Sequence, residues 1–121
     1  MSNNNSEIST ANYKLIDEQF RKIQVRIYRQ FKKNPDVEAL LFLIGMRELG
    51  TVKEKFTKEE KVNLMHIATC RLMSYDGYFE LEGLDKDGWP HWVAIKPMPQ
   101  LPVEEQEYLL KQLIIRYFAE L

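Results

Sequence analysis

From Tyr13 onward the apolar positions recur at three- and four-residue steps. Tyr13, Ile16, Phe20, Ile23, Ile27 and Phe31 fall on one stripe of an amphipathic helix predicted from near Asn12 to about Lys33. Residues 1–10 are mostly Ser and Asn, offer little to bury, and read as a disordered tail. A second helix should begin at "NPDVEALLFLIGMRELG", where Asn34 can cap, Pro35 suits the first helical position, and Asp36 and Glu38 favour the positive end of the dipole. Its middle is apolar on every side and Gly50 is placed to end it, although "LLFLI" also fits a strand. Gly45 weakens this helix, and the expected compensation is close approach of a neighbouring helix. Thr57 and Glu60 have capping-box spacing, so a third helix should run to about Ser74. On it Val62, Met65, Ile67, Ala68, Leu72 and Met73 cover a wide arc, and Glu60, Asn63, Arg71 and Ser74 leave a narrow strip for solvent.

At "YFELEGL" the period drops to two, with Phe79, Leu81 and Gly83 on one side and Glu80 and Glu82 on the other. "WPHWVAIK" is a second run, in which Trp89, His91, Val93 and Ile95 share a face. "DKDG" between them supplies turn residues, so 78–96 reads as a β-hairpin. "PMPQLP" is an extended linker. In "VEEQEYLLKQLIIRYFAEL" the residues Leu110, Leu113, Ile114, Tyr117, Phe118 and Leu121 form the stripe of a last helix. The predicted fold class is α+β, mainly α, with three helices, a hairpin and a C-terminal helix in a single globular domain over 11–121.

A formal charge of −1 excludes the global excess that by itself points to nucleic acid or a membrane surface. The distribution is less even: residues 1–61 carry twelve Lys or Arg against nine Asp or Glu, whereas 62–121 carry five against nine. One cysteine, Cys70, cannot form an intramolecular disulfide. The start "MSNNNSEIST" does not read as a secretion signal, and the longest apolar run, "ALLFLI", is too short to span a membrane. These features point to the cytoplasm.

The densest chemistry lies in "ELEGLDKDGWPHW". Asp85 and Asp87 match the first and third positions of a calcium loop, but Trp89 and Lys96 stand where an oxygen ligand and a bidentate glutamate are required. His66 and Cys70 are one turn apart on a helix and His91 lies on the hairpin, so a transition metal could take these three with a carboxylate such as Glu82. Against it, the clustered ligand spacing is missing and a buried cysteine is a common core residue. Cys70 with His66 is the only local nucleophile pair, but mid-helix it lacks the dipole that would activate a thiol. No phosphate-binding glycine loop or dinucleotide fingerprint occurs, so no cofactor is expected. Glu80 and Glu82 suit a wet strand face that discourages edge pairing better than acid–base work.

Two surfaces remain. Arg21, Lys22, Arg26, Arg29, Lys32 and Lys33 occur with no acid between 19 and 35, on an arc of roughly 140° opposite the apolar stripe. That face is either solvated or meets an acidic protein, a second copy or nucleic acid. Trp89, His91 and Trp92 form the other: successive strand positions would direct the two indoles to opposite faces, unless Pro90 breaks the alternation and both pack inward.

"FLIGMRELG", "FTKEEKVNLMHIATCRL" and "GYFELEGLDKDGWPHW" together resemble a family of small uncharacterised bacterial cytosolic proteins, over roughly residues 37–118. The resemblance implies no activity, ligand or catalytic residue. The order of elements also resembles that of winged-helix regulators, with 57–74 as recognition helix and 78–96 as wing. The chemistry fits that topology poorly, because the helix is mostly apolar and the wing carries Glu80, Glu82, Asp85 and Asp87. The expectation is a non-enzymatic protein-interaction or regulatory module, homodimeric, with a nucleic-acid-binding protein and a small metal-dependent enzyme as alternatives.

Overall fold

The computed structural model describes residues 2–32, 35–51 and 53–121, with side chains from Tyr13 onward except that of Phe31. The elements are α1 (Ser2–Phe31), α2 (Val37–Leu49), α3 (Lys58–Met73), a 3-10 turn (Ser74–Asp76), β1 (Phe79–Leu84), β2 (Pro90–Ala94) and α4 (Val103–Ala119). The fold is therefore α+β and mainly α, in the predicted order. Two compact units divide it, α1 with α4 and Val37–Gln100. Among the described residues no helix is long and apolar enough to cross a membrane.

In the first unit α1 buries Phe20, Ile23 and Ile27, and α4 buries Leu113, Ile114 and Tyr117. The Tyr13 and Tyr108 rings meet edge-on at 4.0 Å, Lys111 Nζ lies 3.3 Å from Asp17 and over the Phe20 ring, and Arg26 lies over Phe118. Contacts that advance together along both helices show that α1 and α4 run in the same direction. The backbone of α1 begins at Ser2, ahead of the start predicted near Asn12. No glycine or proline stands before Pro35 to stop it, so an apolar stripe marks where a helix packs better than where it begins.

The second unit is centred on α2 and α3. Leu40, Leu41 and Ile44 are buried with Leu64, Ile67, Ala68, Leu72 and Met73. The capping box is present: Glu60 N–H donates to Thr57 Oγ1 at 3.0 Å, Thr57 N–H donates to Glu60 Oε1 at 2.9 Å, and Lys53 Nζ holds the other carboxylate oxygen. That backbone donor, and then Lys53, hold the Glu60 carboxyl below its ordinary value. Gly50, at φ 76, ends α2 with its N–H on the carbonyls of Met46 and Arg47. Pro35 is not the first helical residue. Its carbonyl accepts from Gln24 Nε2 at 2.8 Å, and α2 starts two residues later; the predicted Asn34 cap lies outside the described residues. On α3 the solvent strip is wider than predicted, since Val62 is 60% exposed and His66 is exposed as well. An apolar residue stays wet when no neighbouring element faces it.

Gly45 is where α2 and α3 come closest: a Cβ there would fall on the backbone carbonyl of Leu64. Replacing Gly45 with Ala should therefore lower stability by roughly 1–3 kcal/mol in denaturant unfolding, through overpacking. A variant at least as stable as the parent would show that the helices are not in backbone contact here.

Candidate functional site

The antiparallel hairpin pairs Phe79 with Ala94, Glu80 with Val93, Leu81 with Trp92, Gly83 with His91 and Leu84 with Pro90, so Glu82 is an extra residue in a bulge. The bulge reverses the alternation of β1. Gly83 joins Glu80, Val93 and His91 on one face, while Leu84 joins Leu81, Trp92 and Pro90 on the other. This corrects the predicted grouping of Gly83 with Phe79 and Leu81. Trp89 belongs to the turn rather than to the His91 and Val93 face, because β2 starts at Pro90.

Asp85 organises that turn. Its Oδ1 accepts the N–H groups of Asp87 and Trp89, both at 2.9 Å, and its Oδ2 lies 3.2 Å from His91 Nε2. Its own backbone N–H donates to Trp89 O at 2.9 Å, and its carbonyl accepts from Gly88 N–H at 3.0 Å. Gly88, at φ 86, supplies the left-handed residue that closes a type I turn onto a bulge. The Trp89 N–H above all, with His91 and Asp87, holds the Asp85 carboxyl below its ordinary value. Both carboxylate oxygens of Asp85 are thus engaged within the hairpin.

Both strands lie against α3, and a cleft of about 310 Å³ opens between that helix and the turn. Asn63, His66, Asp85, Trp89, His91 and Trp92 line it. Both indoles are half-buried, and Trp92 Nε1 is buried without a hydrogen-bond partner among the described residues. His91 is exposed. Cys70 Sγ lies 3.6 Å from His66 Nε2, yet burial pushes its thiol up to about 11, so it stays protonated at neutral pH. Among the described residues no three His, Cys, Asp or Glu side chains are grouped to hold a metal. Bringing His66 and His91 to one cleft does not bring Cys70, which is turned into the core.

The hairpin's apolar content is only partly covered. Leu84 is 66% and Ile95 55% exposed, and Leu81 and Val93 are exposed beside the acids Glu80 and Glu82. On α1, Arg21, Lys22, Arg26, Arg29 and Lys32 are exposed, and none has an acidic partner among the described residues. Lys33 lies outside the described residues. Leu15, Val25 and Tyr28 are exposed among these cations, a mixture that a search for charge runs alone passes over. Comparison with protein-family models, curated proteins and solved structures gives no match.

Two outcomes follow from this geometry. A carboxyl held low in the folded state stabilises above the ordinary aspartate value of 3.8, and the contribution is lost as pH falls through the lower folded value. Acid titration followed by tryptophan emission should show the turn loosening below 3.8, and Asp85→Asn should flatten that response; identical titrations would remove Asp85 from the role given to it. The Cys70 thiol should react with a disulfide reagent at pH 8 only as fast as the chain unfolds, and fast labelling of the native protein would contradict its burial.

Proposed function

We propose that the chain is a non-enzymatic protein-interaction or regulatory module that works as a homodimer. The observation that supports an interaction role is the hairpin, a two-stranded sheet that leaves Leu81 and Leu84 exposed on one face and Val93 and Ile95 exposed as well, with Glu80 and Glu82 beside them. Exposed apolar side chains with acids beside them on both faces of the hairpin suit a partner that offers apolar side chains flanked by Lys or Arg. The cleft beside it is a weaker basis for catalysis, since the Cys70 thiol is protonated and buried and Asp85 serves the turn. The resemblance over residues 37–118 and the unpaired cysteine support a bacterial cytoplasmic setting.

The test is affinity purification from the native cell with the parent chain and with a Leu84→Lys, Ile95→Lys variant of unchanged circular dichroism. The parent should retain a partner that the variant loses, and equal recovery by both would remove the hairpin as the docking surface. The α1 cations Arg21, Lys22, Arg26, Arg29 and Lys32, which have no acidic partner among the described residues, support a second reading, contact with a nucleic-acid backbone. That reading requires affinity that falls steeply with salt and disappears in an Arg26→Glu, Arg29→Glu variant; duplex binding unaffected by both would end it.

A further inference from the structure

The exposed side of α1 carries a second periodic stripe, opposite the one that packs inward. Leu15, Glu18, Lys22, Val25 and Arg29 follow one another at steps of three, four, three and four, the spacing of positions that face a partner helix in a coiled coil. Leu15 is 52% and Val25 44% exposed, and Glu18, Lys22 and Arg29 are exposed. Neither Glu18 nor Lys22 has an ion-pair partner among the described residues.

We infer that this stripe of α1 is the self-association surface, pairing antiparallel with the same stripe of a second copy about a two-fold axis near residue 20. The inference rests on the homodimer reading and names its interface. Charge decides the orientation. Two parallel copies in register would set Glu18 on Glu18, Lys22 on Lys22 and Arg29 on Arg29, a repulsion at three of the five layers. An antiparallel pair about residue 20 sets Glu18 on Lys22 twice, and flanks those ion pairs with Leu15 on Val25 twice.

Hydrophobic match decides the register. A shift of one heptad either way places Leu15 against Lys32 or against Glu18, separating the apolar side chains. Because α1 runs from Ser2 to Phe31, an overlap centred on residue 20 is roughly three heptads long. The pairing carries a cost, since Arg21 of each copy falls near its own symmetry mate. Asp17 and Glu18, one turn earlier on the same helix, are within reach to offset it. With only two apolar layers the association is weak, and a polar pair at the seam sets register at a cost in affinity.

Sedimentation equilibrium of the full chain from about 10 µM to about 1 mM tests this, using the parent, Glu18→Lys, Lys22→Glu and the double swap. All substituted side chains are exposed, and circular dichroism confirms that each variant folds. The parent should form dimers, each single reversal should weaken dimerisation at least tenfold by opposing like charges, and the double swap should restore it. A dimer whose affinity ignores all three variants overturns this interface while leaving self-association standing. A parent that stays monomeric overturns both, whereas the hairpin's role is decided separately by its own variant. A monomer that sediments with added duplex DNA also overturns the inference and gives the stripe to nucleic acid.

Discussion

The close approach of α2 and α3 at Gly45 is the constraint on which the larger unit depends. With no side chain there, the two backbones meet at the Leu64 carbonyl, and Leu40, Leu41 and Ile44 are buried together with Leu64, Ile67 and Ala68. Interiors are packed closely enough that one added carbon has no place to go. One consequence is that α3 serves two purposes. Its Leu64, Ile67, Ala68 and Leu72 belong to the core, while Asn63 and His66 border the cleft beneath the hairpin turn. A marginal two-stranded sheet gains from α3 the support that it cannot supply alone.

The stretch richest in reactive residue types proves to be mainly structural. Asp85 spends both carboxylate oxygens and both backbone groups on closing the turn, and Cys70 is enclosed with a protonated thiol. Two exposed surfaces stand apart from that stretch's hydrogen bonds. One is the partly covered hairpin, with acids beside its exposed apolar residues, and the other is the outer side of α1, where Leu15 and Val25 are interspersed with Glu18, Lys22 and Arg29. Each belongs to a different compact unit.

Features set by a few adjacent residues were legible in the sequence. Thr57 with Glu60, Gly50 after the apolar run, and "DKDG" between alternating segments each specify a local hydrogen-bond pattern, and each appears in the structure. Gly45 was legible for a related reason, because a glycine inside an apolar helix needs a compensating contact. Features set by what stands opposite were not legible. The extra residue at Glu82 moves Gly83 to the other face, yet "YFELEGL" reads as uninterrupted alternation. Val62 stays in solvent although it lies within the predicted apolar arc, and periodicity cannot report a missing neighbour. The outer stripe of α1 is faint in the sequence because two of its first four positions are charged, so its heptad spacing adds little to an apolar pattern.

The proposed role rests on exposed surfaces, with α1 turned toward a second copy. Amide hydrogen exchange of the full chain at two protein concentrations, mapped by peptide, addresses it most directly. Exchange should slow at the higher concentration across residues 14–29 and stay unchanged in the hairpin. Concentration-independent exchange throughout α1, or slowing confined to the hairpin, would contradict it.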